Sequence, residues 1–278
     1  MADLAPTIAP NPNKALWEKG DFTRIAETMR RSGEELIATL DIKPGSQVLD
    51  LGCGDGTTAL PAARRGADVL GIDIAANLVA AGNRRAEAAG LYNIQFVEGD
   101  ACDLNGIRDS RFDLVVSIFG AMFAPRPAEV AREMVRVTKP GGRIVMGNWI
   151  PGDPTLVAQI LRISSGYTPV PPQGFVSPMT WGDEEQVRAR FADAGISPER
   201  IVFERAPWFF RNDGPPSELL AIFRDYYGPT MNAFEAAAKT GRESELAGEL
   251  EELFETQNRR SDRTEILATY LKVTIDKG

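Results

Sequence analysis

The chain has 278 residues, 43% of them hydrophobic, enough to bury the core of one large domain or two small ones. Its formal charge of −8 and isoelectric point near 4.9 argue against broad nucleic-acid contact, which needs clustered Lys and Arg to neutralise phosphates. The lack of any histidine removes imidazole metal sites and Ser-His or Cys-His nucleophiles, and two cysteines, Cys53 and Cys102, cannot build a disulfide framework and point to a reducing cytoplasm.

In chain order, Met1 to Asn13 is rich in Pro, Ala and Asn without the basic start and apolar run of a signal peptide, and no later segment is long and apolar enough to span a bilayer. Phe22 to Leu40 places Ile25, Ala26, Met29, Gly33, Leu36, Ile37 and Leu40 at helical spacing, with Trp17 just ahead. The run Val48 to Thr58 reads as a buried strand that breaks into a glycine turn and then a helix started by Thr57 and Thr58. Gly52, Gly54 and Gly56 stand at every second position, so a ligand can lie against bare backbone. Asp68 to Asp73 is a second strand with an acid at its carboxyl end, about 20 residues past the loop, where a doubly wound sheet presents a carboxylate to a ribose diol. Ile94 to Ala101 is a third strand ending in Gly99-Asp100-Ala101, able to offer an acid and an amide to an adenine edge. Phe112 to Gly120 is a fourth. A helix and the turn Lys139-Pro140-Gly141-Gly142 lead into a fifth, Arg143 to Trp149.

Pro151 to Pro178 is dense in Pro and Gly and reads as an active-site loop with a short apolar stretch at Leu156 to Ile163. Asp183 to Gly195 reads as a helix with an acidic cap and a glycine stop, followed by a sixth strand from Ile201 to about Phe210. Ser217 to Ala238 and Glu243 to Asn258 read as two cap helices, with Gly228-Pro229 as a break or kink, and Tyr270 to Ile275 as the closing strand.

The acid-x-Gly-x-Gly-x-Gly loop, the Gly-Asp-Ala after strand three and the Lys-Pro-Gly-Gly before strand five resemble the class I S-adenosylmethionine-dependent methyltransferases. The likeness is close over roughly Gln47 to Trp149 and greatest to the ubiquinone/menaquinone-biosynthesis type and its small-molecule relatives. It implies an α/β, Rossmann-like, doubly wound seven-stranded sheet whose last strand is antiparallel at one edge. The whole chain would form one domain: a lid helix at 12–43, a cofactor core at 46–150, an active-site loop at 151–182 and a helical cap at 215–260. A nicotinamide oxidoreductase shares the glycine loop and ribose acid, but its G-x-G-x-x-G places the third glycine one residue later. A non-catalytic S-adenosylmethionine-binding protein is a third reading.

The resemblance implies that Asp50, Gly52, Cys53 and Gly54 border the methionine and ribose part of S-adenosylmethionine, with Trp17 closing over its methionine end. Asp73 would accept from the ribose hydroxyls, Ile74 pack on adenine, Asp100 and Ala101 meet the adenine edge, and Ser117 and Ile118 line the sulfonium end. Competing structural roles are a helix cap for Asp73, an organiser of loop amides for Asp50 and a staple for Trp17 and Phe22. The cysteines read as small side chains beside the cofactor rather than as nucleophiles. No metal is expected. The acceptor would be a small, partly hydrophobic or aromatic molecule touching Phe119, Met122, Phe123, Trp149 and Trp181, while Trp208 and Phe209 read as core. Tyr167, Tyr226 and Tyr227 are the candidates to take a proton from it. A monomer and a homodimer both remain open.

Overall fold

A computed structural model describes residue 11 and residues 13–278; the expectation of no secretory leader falls mostly on residues 1–10 and 12, outside the described residues. The apolar runs become strands β1 (Gln47–Leu51), β2 (Asp68–Asp73), β3 (Ile94–Glu98), β4 (Phe112–Ile118) and β5 (Thr138–Trp149), followed by the longer β6 (Ile201–Asn212) and β7 (Thr264–Asp276). They form one seven-stranded sheet in the order β3-β2-β1-β4-β5-β7-β6. The first five are parallel. β7 runs antiparallel to both β5 and β6. The last strand is thus antiparallel, as the resemblance implies, but it lies second from the edge because β6 pairs along its outer side.

The helices are α1 (Lys14–Glu18), α2 (Phe22–Ala38), α3 (Ala59–Arg64), α4 (Ala76–Ala88), α5 (Pro127–Val137), α6 (Leu156–Ser165), α7 (Glu184–Asp193), α8 (Pro216–Tyr226), α9 (Gly228–Lys239) and α10 (Glu243–Gln257). α2 buries the expected stripe of Ile25, Ala26, Met29, Leu36 and Ile37 and packs on α3, α4 and α8. α7 starts on Asp183, whose carboxylate accepts from the amides of Glu185 and Gln186.

Three segments differ from the sequence reading. Residues 151–182 hold α6 and a 3-10 turn at Pro178–Gly182 rather than an open loop, because the apolar stretch 156–163 finds a partner in α9 and α10. The expected pair of cap helices is three, since Tyr227 leaves helical geometry at ψ 108° and Pro229, lacking an N–H, opens a new helix instead of continuing the old one. β5 begins before its glycines: Phe112 pairs with Thr138 and Leu114 with Arg143, so residues 139–142 bulge out opposite Asp113.

The exposed edge of β6 is closed locally. Ser32 on α2 donates through Oγ to the Phe209 carbonyl and accepts from the Phe209 amide, both at 3.0 Å. Pro207, two residues away, has no N–H to offer. Replacing Ser32 with alanine leaves a part-buried backbone donor and acceptor unpaired, and we expect Ser32→Ala to lower the unfolding free energy by about 1–2 kcal/mol in urea titrations, with the secondary structure unchanged.

Candidate active site

The strand order reverses at β1, with β2 on one side and β4 on the other, and ligands of doubly wound sheets sit outside the carboxyl ends of strands at such a switch point. Here the chain leaving β1 meets the chain leaving β4 at main-chain contact. A β-carbon on Gly52, which has φ +71°, would lie 2.6 Å from the Gly120 α-carbon, and one on Gly120 would lie 2.2 Å from the Gly52 carbonyl oxygen. Beside this crossing opens a cavity of about 900 Å³, its mouth included.

Of the residues expected at the cofactor, Trp17, Gly52, Cys53, Gly54, Asp73, Ile74, Asp100, Ala101 and Ile118 line the cavity. Asp50 and Ser117 do not. Asp50 is buried behind the loop and accepts from Thr58 Oγ1 at 2.6 Å, and the Ala59 amide at the start of α3 also points to it. Thr58 therefore ties the loop to Asp50 instead of capping the helix with its side chain. Ser117 Oγ donates to the Leu51 carbonyl at 2.6 Å and accepts from the Ala121 amide at 3.0 Å, fixing the ends of β1 and β4 together.

Asp73 lines the cavity and ties the glycine loop to the residue just before α4. Its Oδ2 accepts from the Gly54 amide at 2.8 Å and its Oδ1 from the Ala75 amide at 2.9 Å, just before α4. Each oxygen keeps a lone pair, as a ribose diol requires. Asp100 accepts from Cys102 N at 2.9 Å and from Asn11 Nδ2 at 3.1 Å. A β-carbon on Gly54 would meet nothing within 4 Å, so the loop presents open backbone. These features fit a nucleoside with a polar tail.

The acceptor candidates separate into those at the cavity and those behind it. Phe119 and Phe123 line it. Trp149 is stacked behind Phe119, ring centroids 3.6 Å apart. Met122 is buried, and Trp181 packs beneath Arg190 and against Phe191. The tyrosines stand apart. Tyr227 backs the rings of Trp17 and Phe22, Tyr226 lies under Arg24, and the Tyr167 hydroxyl donates to Glu249 on α10. Burial pushes Tyr227 above its ordinary value. Burial and the Glu249 carboxylate push Tyr167 up to about 12. None of the three lines the cavity.

Among the described residues, nothing from 151–182 or 215–260 lines the cavity. The large apolar side chains that line it include Trp17, Phe22, Met29, Phe119, Phe123 and Trp208. Trp208, expected in the core, stands edge-on to Phe119 at 5.0 Å, and Met29 belongs to the buried stripe of α2. Neither position carries a signal beyond an apolar residue in register. α1 and the residue before it are held by polar contacts: Asn13 donates to the Phe123 carbonyl, Lys14 to Glu98, and Glu18 accepts from the Ala76 amide at 3.1 Å.

Residues 49–146 match the family described as Methyltransferase domain. An uncharacterised protein of Mycobacterium tuberculosis is 34% identical over 227 residues, covering 81% of this chain and 80% of its own. A demethylmenaquinone methyltransferase of Paenarthrobacter aurescens is 36% identical over 129 residues, 46% of this chain and 48% of its own. The structure of phosphoethanolamine N-methyltransferase 2 of Haemonchus contortus with S-adenosyl-L-methionine superposes with TM-score 0.55 at 20% identity, covering 88% of this chain and 52% of that one. This chain belongs to the class I S-adenosylmethionine-dependent methyltransferases, and the nicotinamide alternative falls away. Its cofactor is S-adenosylmethionine.

Burial raises the Asp50 carboxyl from 3.8 to about 7, with the Thr58 hydrogen bond opposing the shift and the Asp73 charge adding to it. Burial likewise raises Asp73, and pushes the Cys53 thiol well up beside the Asp73 and Asp50 carboxylates, so this thiol is no nucleophile at neutral pH. For Asp50 the folded state holds a proton that the unfolded state releases above about pH 4, so its stabilising contribution is complete below that point and is lost as pH rises through about 7. Asp50→Asn removes this loss. In thermal melts the variant should gain on the parent protein from about pH 4 to about pH 7 and then run parallel to it.

Proposed function

We propose that this methyltransferase acts on a small, partly hydrophobic or aromatic acceptor at oxygen, nitrogen or carbon. The observation that carries the reading is one cavity lined both by polar groups, Asp73, Asp100 and the glycine loop, and by the rings of Trp17, Phe22, Phe119, Phe123 and Trp208. Its size suits a cofactor with a small partner, since such sites typically span about 300–1,000 Å³. No Lys or Arg lines it among the described residues, which disfavours a polyanionic acceptor. The likeness to a demethylmenaquinone methyltransferase supports a planar ring. The two free thiols, both buried, suit a reducing compartment.

S-adenosylmethionine brings a methyl on a leaving group that needs no activation, so the protein has to position and desolvate the partners. Asp73 and Asp100 hold the sugar and base, while the loop from Gly52 to Gly54 borders the sulfur end. Phe119 and Phe123 set the plane of the acceptor. Trp17, carried on α1 and packed 4.8 Å from Phe123, excludes water from the same space. Where the acceptor must lose a proton, it leaves to water, since no tyrosine or lysine lines the cavity among the described residues.

Turnover with S-adenosylmethionine over a panel of phenols, amines and quinone precursors tests this. At least one planar member should be methylated, with Phe123→Ala raising its KM about tenfold and leaving S-adenosylhomocysteine affinity unchanged. Tight cofactor binding without turnover of any member would make the chain a binding protein. Asp73→Ala should weaken S-adenosylhomocysteine by about 1–3 kcal/mol in calorimetry, and unchanged affinity in a folded variant would remove Asp73 from the site.

A further inference from the structure

Asp55 stands between Gly54 and Gly56 in the cofactor loop and lines the cavity, yet its side chain is only 1% exposed. Two arginines hold it from opposite helices. Arg30 of α2 donates through both terminal nitrogens, Nη1 to Oδ1 at 3.0 Å and Nη2 to Oδ2, and its Nη1 also reaches Thr57 Oγ1 at 3.3 Å. Arg85 of α4 donates to the Asp55 main-chain carbonyl and stands 3.4 Å from Oδ1. α2 presses on the same loop, since a β-carbon on Gly33 would fall 2.6 Å from Thr57. Both arginine side chains are about three-quarters buried, Arg30 at 23% and Arg85 at 28% exposure, where charge-assisted hydrogen bonds fix geometry better than surface pairs do.

We propose that Arg30 and Arg85 are positioning residues for the cofactor, acting through Asp55 and touching neither the cofactor nor the acceptor. The path is short. Asp55 follows Gly54, and the Gly54 amide is the group that donates to Asp73 Oδ2 at 2.8 Å. Glycines at 52, 54 and 56 all have positive φ, so the loop has little stiffness of its own. The clamp supplies what the glycines lack. It holds the backbone that borders the methionine half, while Asp73 keeps its second bond, to the Ala75 amide, without it. The proposal rests on S-adenosylmethionine being the cofactor.

The test is calorimetric titration of the full chain with S-adenosylhomocysteine and, separately, with adenosine, which lacks the part that meets the loop. Arg30→Met should weaken S-adenosylhomocysteine about tenfold or more and adenosine at most about threefold, and Arg85→Met should behave alike. Arg30→Lys, which keeps the charge without the fork, should restore part of the loss and serves if the methionine variant does not fold. Equal losses for both ligands would mean general loosening and overturn the proposal, as would unchanged S-adenosylhomocysteine affinity in folded Arg30→Met or, where only that variant folds, in Arg30→Lys. Failure of the unsubstituted protein to bind S-adenosylhomocysteine would strike the cofactor assignment instead.

Discussion

Gly52 and Gly120 pass each other so closely that one methyl group on either would strike the main chain of the other. That contact holds the chains leaving β1 and β4 together at the point where the strand order reverses, and the cavity opens beside it. Around it the polypeptide spends buried polar groups on rigidity. Ser117 bridges the two departing chains, Asp50 gathers Thr58 and the first amide of α3, and Asp73 collects the amides of Gly54 and Ala75. The acids of this region are therefore organisers of backbone first. The same ordering leaves Asp73 with lone pairs aimed at the cavity.

The aromatic wall has a different origin. Phe119 has φ +59°, a left-handed conformation that a bulky side chain rarely adopts and that costs of order 1–3 kcal/mol unless its surroundings enforce it. Here they do. The ring stacks on Trp149 and meets Trp208 and Tyr270 edge-on, and its amide donates to the Gly147 carbonyl at 2.9 Å. The wall is thus built on the ends of β4, β5 and β6. The helices inserted before β7 stand behind it, Tyr227 supporting Trp17 and Phe22 from outside.

How much of this could be read from the residues follows from the range of the forces involved. The glycine loop, Asp73 and Asp100 are legible because strand, turn and acid are contiguous, so local chemistry fixes them. Trp149 and Trp181 read as pocket residues but are packed behind the cavity, while Trp208 is core, as its position implies, and also reaches the cavity wall: alternation shows which positions are buried, not what lies on the far side of them. Met29 has the same spacing as its neighbours on α2, and only the packing of that helix over the loop makes it part of the cavity. The break at Gly228-Pro229 was visible, but whether it kinks or separates helices depended on partners far along the chain. The union of Arg30 and Arg85 with Asp55 joins three distant segments and leaves no local trace.

The short helix over the cavity buries none of its own residues. It stays shut through amide and charged groups that reach across to Phe123, Glu98 and the first turn of α4, together with the ring of Trp17. Contacts of this kind exchange readily with water and weaken as ions are added. The helix over the cavity is therefore held by groups that added salt screens, while the chain ends beneath it are tied by hydrogen bonds between buried groups, so ionic strength acts on one side of the reaction space and not on the other.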